Sequence, residues 1–403
     1  MNDYKNLFKC GKSPELLLVL LSIGMMLSFS TWQALLNNFA VDDVGFDGAR
    51  IGILQSIREI PGLLAFSITF ILIFFREQRV MLAALILLGI GTALTGFFPY
   101  VIGLYLTTFL MSTGFHYFET ARQSLALQWI EKSQAPVVFG QLVSAGSFAA
   151  LVSFGVIYIG LDFFNFDLKW IYVAGGLMAV AITVYCWIAF PSYSGKSQQK
   201  SHIVLRSRYW LWYALVFMSG ARRQIFVVFA GFLMVEKFGF SASQMTLMFL
   251  ANMTMSIFIA PKIGKLIKRF GERRALILEY TGLVLVFVGY ALADQAWVGV
   301  ILYVLDHMFF AMAIAIKTYF QKIADPADIA SSSGVSFTIS HLVAVVIPAG
   351  FGLIWLVAPS YVFMAGAAMA GISLALAFFI PKTPDQQQVS IFSQPVIITK
   401  PAE

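Results

Sequence analysis

Twelve apolar runs, each long enough to cross a bilayer and parted by short polar punctuation, constrain this chain more than any other feature. In hydrocarbon a backbone must satisfy its own hydrogen bonds, and uninterrupted runs of about 20 residues do so as helices. The first six runs are Pro14–Ala40, Ile51–Phe75, Val80–Phe98, Tyr100–Ile130, Pro136–Gly160 and Trp170–Phe190. The second six are Tyr209–Val235, Gln244–Ile267, Ala275–Ala293, Trp297–Ala324, Ser331–Trp355 and Ser360–Ile380. The expected fold class is an all-α polytopic membrane protein with 12 transmembrane helices. Residues 14–190 are read as one six-helix bundle and 209–380 as another, joined by a basic linker over 191–208. The tails, 1–13 and 381–403, are polar, and the second is expected to lack fixed structure.

Only 12% of the residues are charged, against about 25% in soluble domains. The net charge of +7 does not point to nucleic acid, because the basic residues follow a membrane topology. Lys5, Lys9, Lys12, Arg76, Arg79, Lys132, Lys196, Lys200, Arg206 and Arg208 fall on one side, with the Lys262–Arg274 cluster, Lys322, Lys382 and Lys400. The other side holds Arg50, Lys169 and Lys237. The richer side is expected to be cytoplasmic, which places both termini there and the protein in the inner membrane. The first apolar run reads as a retained span rather than a cleavable signal. Cys10 and Cys186 form no metal or disulfide pattern, and P-loops and nucleophile elbows are missing. No enzyme activity, metal or cofactor is expected.

The halves resemble each other. Gly45-Phe46 precedes the second span and Gly239-Phe240 the eighth; Arg76-Glu77-Gln78-Arg79 and Glu272-Arg273-Arg274 recur about 195 residues apart. His116 and His307 fall at similar depth in the fourth and tenth spans. Two parallel six-span repeats are an architecture used for alternating access.

The loop after the eighth span reads GKLIKRFGERR from Gly264 to Arg274. It resembles the loop motif of the major facilitator superfamily, G-x-L-a-D-r-x-G-r-[RK], through Gly264, Leu266, Arg269, Gly271 and Arg273. Small residues there let helix ends approach, and basic ones bind helix C-termini or acidic partners. The motif's aspartate is Lys268 here, and the first-half copy is reduced to Arg76-Glu77-Gln78-Arg79. The resemblance, covering about Pro14 to Pro381, implies secondary active transport by a protein expected to be monomeric. Two motifs of the family's drug–proton antiporters are absent: Tyr100–Ser112 holds no arginine and Gly140–Gly160 no proline.

Charged and imidazole groups inside spans are costly unless used or paired. Arg222 and Arg223 sit mid-way along the seventh span. A charge at the centre of a lipid-facing helix costs roughly 2.5–3.5 kcal/mol or more. Neighbours point about 100° apart, so one can line a cavity while the other meets a carboxylate such as Asp306; both can equally be structural. Arg58 and Glu59 in the second span are expected each to meet another helix, as gate or as structural pair. The resemblance implies that the first, fourth, seventh and tenth spans line the central cavity. His116, Glu119 and Arg122 would then face it, with Glu119 and His116 as the proton-coupling pair, or Glu119 bridging to Arg122. Asp306 and His307 are further proton-coupling candidates, as is Glu59. Asp306 and Lys317 share a face of the tenth span, where Lys317 attracts an anion or snorkels to the interface. Trp32, Gln33, Asn37 and Asn38 either contact substrate or bridge helices. Glu279 is expected to snorkel or to pair with Arg273, and His341 to pack.

Embedded positive charges outnumber embedded carboxylates, which favours an anionic or zwitterionic substrate held by arginine. The expected function is a proton-coupled transporter of a small organic anion or zwitterion, with lipid, substrate and protons as its partners. The rivals are an efflux pump for amphipathic compounds and a non-transporting sensor or assembly protein on the same scaffold.

Overall fold

A computed structural model describes residues 12–130, 135–193, 205–325 and 328–393. Every one of the twelve expected spans is helical. They are α1 (Pro14–Asn38), α2 (Gly48–Leu63), α3 (Glu77–Thr95), α4 (Val101–Trp129), α5 (Ala135–Asp162) and α6 (Leu168–Ala189), followed by six more. These are α7 (Trp210–Gln224), α8 (Ala242–Phe270), α9 (Glu272–Leu292), α10 (Ala296–Phe310), α11 (Ile329–Val357) and α12 (Pro359–Phe378). Among the described residues, 11 helices are both long and apolar enough to cross a membrane. The other is α4, which has the length, at 29 residues, but carries Thr107, Thr108, Ser112, His116, Glu119 and Arg122.

Four spans are not single α-helices. α1 runs into a π-turn, Phe39–Asp43, and α7 into another, Ile225–Ala230, directly after its arginines, before closing as Gly231–Glu236. Such wide turns collect at functional positions. α2 gives way at Leu64 to a 3₁₀ turn and a short helix, Ile68–Ile71. α10 is broken by a 3₁₀ turn at Ala311–Ala313 and resumes as α10b, Ile314–Ile323.

Contacts group the chain into two units: Met1–Gln199 with Met234–Thr254, and Lys200–Leu233 with Met255–Glu403. The second bundle expected over 209–380 is thus divided, because residues 234–254 pack with the first unit. There the Asn38 amide donates to the Phe240 carbonyl at 2.8 Å, and Phe249 stacks on Phe154 at 5.5 Å between centroids. In the first unit α1 packs on α5 and α6, and α3 on α4 and α6; in the second α7 packs on α11 and α12, and α9 on α10 and α12. The same pairs of helices meet in both, which is the six-helix repeat in physical form.

The repeated Gly-Phe turns also fold alike. Gly45 and Gly239 both take positive φ, at +73° and +66°. The following N–H of Phe46 donates to the Ala40 carbonyl at 2.8 Å, and that of Phe240 to the Met234 carbonyl at 3.0 Å. Only glycine takes that conformation at little cost. Elsewhere glycine admits close packing: a Cβ on Gly91 would lie 2.5 Å from the Met111 backbone nitrogen, so α3 and α4 run in backbone contact.

The second tail departs from expectation. Through Ser393 it folds back on the second unit, where Val389 and Ser390 are buried. The Tyr319 hydroxyl donates to the Val389 carbonyl at 2.5 Å, and the Gln386 amide to the Ala324 carbonyl at 3.1 Å. Its polar sequence concealed the apolar Val389 that seats it, whereas Ile391 is exposed.

Candidate functional site

In the first unit the embedded charges are paired close to home. Arg58 and Glu59 were expected each to meet another helix: the Glu59 carboxylate does lie within 4.8 Å of a ring nitrogen of His116 on α4, but Arg58 folds back and binds its neighbour, Nη2 to Oε1 at 2.5 Å and Nε to Oε1 at 3.2 Å. The guanidinium's reach spans the angle between adjacent side chains, and poor hydration rewards the nearest counter-charge. The Arg58 Cζ stands 5.9 Å from the Trp32 ring centroid, and the Ser112 hydroxyl donates to the Arg58 carbonyl. Trp32, a candidate substrate contact, is fully enclosed in this conformation, whereas Gln33 is half-buried.

On α4, Glu119 and Arg122 make a bidentate bridge one turn apart, Nε to Oε1 at 3.0 Å and Nη2 to Oε2 at 2.8 Å. Arg122 Nη1 also reaches the Ser22 hydroxyl of α1 at 3.4 Å. Of the two alternatives open for Glu119, this geometry is the internal bridge. His116 is buried one turn earlier, edge-on to Phe115 with centroids 5.1 Å apart.

The second unit is built differently. Arg222 of α7 is 1% exposed, and Glu279 of α9 and Asp306 of α10 are 0% exposed. Arg222 Nε donates to the Met218 carbonyl at 3.2 Å and its Cζ lies 4.4 Å from the Tyr280 ring centroid. Its two terminal nitrogens, and all four carboxylate oxygens of Glu279 and Asp306, have no hydrogen-bond partner among the described residues. Three helices therefore bring one cation and two acids into a dry interior without closing a contact ion pair. Glu279 neither snorkels nor joins Arg273, since it lies two turns inside α9 on the face packed into the bundle. A carboxylate that deep in a span was the available signal for it.

Arg223, one residue on, is exposed. The step between neighbours on a helix separates the two arginines into one enclosed and one presented outward. His307 is half-buried, its ring 5.7 Å from that of Phe226. Lys317 is exposed and does not share the face of Asp306. The 3₁₀ turn at Ala311–Ala313 winds tighter than an α-helix and rotates α10b out of register. His341 packs, as expected, with its ring 4.2 Å from Phe337.

The motif read as a loop is helical up to Phe270: within α8, Gly264 sits in open space, with nothing within 4 Å of where its Cβ would be, so it mediates no close approach among the described residues. Gly271 instead supplies a left-handed turn, φ +82°, between α8 and α9. Arg269 is exposed with its Cζ 5.2 Å from the Phe270 centroid, and Arg273 is half-buried. Glu272, passed over in the sequence reading, is 3% exposed and bound by Lys322 Nζ at 2.8 Å. Its counterpart about 195 residues earlier, Glu77, accepts from Gln128 Nε2 at 2.8 Å. Each acid opens the third helix of its bundle and ties it to the far end of the fourth.

The family model of the Major Facilitator Superfamily matches residues 17–348. No curated protein matches the sequence. Among solved structures, a mutant of the nucleoside transporter NupG superposes with a TM-score of 0.74 at 13% identity, covering 90% of this chain and 98% of that one. A bacterial homolog of the human lysosomal transporter Spinster, inward-facing and occupied, gives 0.70 at 13% identity, with 90% and 95% covered. An auto-inhibited POT family peptide transporter gives 0.71 at 12% identity, with the same coverage. These likenesses fix the fold, and the match over residues 17–348 fixes the family: the chain belongs to the Major Facilitator Superfamily, as a multi-pass membrane transporter.

Proposed function

We propose that this transporter is proton-coupled, resides in the cytoplasmic membrane with both termini inside, and moves a small organic anion or zwitterion by alternating access. The observation that carries the substrate class is Arg223, exposed mid-way along the seventh span, in the last turn of α7 beside the enclosed Arg222. A guanidinium at that depth is too costly against hydrocarbon, so its exposed face belongs to a polar path. There it offers a planar fork of donors suited to a carboxylate or phosphate. The exposed Lys317 adds positive potential along α10b.

Coupling is assigned to Glu119 and Asp306. Protonation of Glu119 removes one partner of its bidentate bridge and frees Arg122. The supporting geometry is partial exposure, 32% for the Glu119 side chain and 19% for Arg122, which leaves the bridge open to protons.

Two experiments test this reading. Thermal-shift screening of the purified protein against small carboxylates, organic phosphates and zwitterionic amino acids should find stabilising ligands by mass action. Stabilisation by neutral amphipathic compounds alone would replace the reading with an efflux pump. In reconstituted vesicles, Glu119→Gln should abolish uptake driven by a pH gradient while sparing exchange. Wild-type pH dependence in that variant would remove Glu119 from coupling.

A further inference from the structure

α10 and its counterpart in the first bundle are built differently. α4 runs unbroken from Val101 to Trp129, whereas α10 stops at Phe310 and resumes past the 3₁₀ turn as α10b, Ile314–Ile323. A short half-helix beyond such a break keeps its place through what its far turns touch. Two of these ties come from other helices. Phe320 stacks on Trp212 of α7 with centroids 3.7 Å apart, and Lys322 binds Glu272 of α9 at 2.8 Å. Others come from the tail.

Between Asp385 and Ser393 the tail exchanges hydrogen bonds with three helix ends. The Tyr319 hydroxyl of α10b donates to the Val389 carbonyl, and Arg208, at the entry to α7, donates from Nη2 to the Gln386 carbonyl at 2.5 Å. In return the tail caps two helices whose terminal carbonyls lack intrahelical donors. Gln386 Nε2 donates to the carbonyl of Ala324, the C-cap of α10b, at 3.1 Å. The Ile391 N–H donates to that of Phe379, the C-cap of α12, at 3.0 Å. Local turns shape the tail for this: Asp385 Oδ1 accepts from the N–H groups of Gln387 at 2.9 Å and Gln388 at 2.7 Å.

The seat is polar and shallow. Val389 and Ser390 are buried, but Ile391 and Phe392 are 47% and 62% exposed, and the three glutamines face outward. Water can replace each hydrogen bond when the tail leaves, and the entropy of ordering the stretch opposes docking. Little therefore separates the docked state from release.

We propose that Asp385–Ser393 is a releasable latch on α10b. Docked, it fixes the half-helix to the entry of α7 and the end of α12; released, it lets α10b swing about the turn at Ala311–Ala313. α10b carries Lys317, so the latch's effect on transport rests on the polar path proposed above.

Hydrogen–deuterium exchange of the purified full-length protein tests the latch without any substrate. In the wild type, amides of 385–393 should exchange faster than those of α10b, because the tail opens first. Tyr319→Phe removes one bond and keeps the ring; Val389→Asp puts a charge in the buried seat. Each should speed exchange over 314–323 by roughly five- to tenfold and leave α11 unchanged. Deletion of 385–403 should match Val389→Asp, which keeps the test decisive if that variant misfolds. Unchanged exchange over 314–323 on deletion overturns the latch. Acceleration spread equally over α7, α9, α11 and α12 also overturns it, by making the tail a general part of the bundle. Tail amides as protected as those of α10b in the wild type overturn its release. Failure on any of these counts leaves the proposed substrate class standing, and absence of stabilising anions leaves the latch standing.

Discussion

The first bundle settles its embedded charges within single helices, Arg58 with Glu59 and Glu119 with Arg122, at bonding distance and partly open to solvent. The second draws Arg222, Glu279 and Asp306 from three helices into full burial and, among the described residues, leaves their charged ends without hydrogen bonds apart from one Arg222 contact to the Met218 carbonyl. Four helix pairings recur in both bundles, while among the described residues the packing of α1 on α3 and of α2 on α4 in the first has no equally extensive counterpart in the second, so packing as well as side chains differs. α1 and α3 meet through hydroxyls, Ser28 donating to Thr92 at 2.8 Å, where α7 and α9 oppose Arg222 and Glu279. A repeated scaffold thus holds bonded ion pairs in one bundle and, among the described residues, enclosed charged ends without hydrogen bonds in the other. A locally closed pair is a weak contributor to stability that protonation can open. An enclosed, unbonded cluster makes each member indispensable to the others.

The contrast predicts a graded series of losses in unfolding free energy. Arg222→Met should be the most damaging, at about 3–5 kcal/mol, because it leaves two acids enclosed with no counter-charge. Loss below about 1 kcal/mol in chemical denaturation would mean the cluster is not electrostatically coupled. Lys322→Met should cost about 1.5–3 kcal/mol by leaving Glu272 buried and unbonded. Lys322→Gln, which copies the first bundle's Gln128, should recover most of that; equal losses in the two variants would break the equivalence of Glu272 and Glu77. Gln128→Ala should cost about 0.5–1.5 kcal/mol, the range of an ordinary hydrogen bond. Smallest is Glu119→Gln, below about 1 kcal/mol, since an i, i+3 bridge open to solvent stabilises little. A larger loss would make that bridge structural and count against its release during transport.

Much of this was readable before the structure. Hydrocarbon forces apolar runs into helices, so the spans, the repeat and its paired Gly-Phe turns followed from residue pattern. The separation of Arg222 from Arg223 followed from helical geometry. Pairings that depend on tertiary packing did not. Glu279 was read as a snorkelling residue because its depth was counted from the helix end, while the face it occupies is set by α7 and α10. Lys317 shares a face with Asp306 only where turns are counted along an unbroken helix, and a 3₁₀ turn spoils that count. The angular rule that separates the two arginines holds for Glu59, which faces His116 of α4, and fails for Arg58, whose side chain is long enough to bend back to the nearest opposite charge. The folded-back tail is hidden by its composition, since one buried valine, Val389, and two hydrogen bonds from polar side chains to carbonyls hold it.

The division of labour between the two arginines of α7 carries the account. It is tested most directly by substituting Arg222→Cys and Arg223→Cys singly, in a background where Cys10 and Cys186 are replaced by serine, and treating membranes with a charged, membrane-impermeant thiol reagent. The account predicts rapid labelling at position 223 and none at position 222. Labelling at both positions, or at 222 alone, would contradict it.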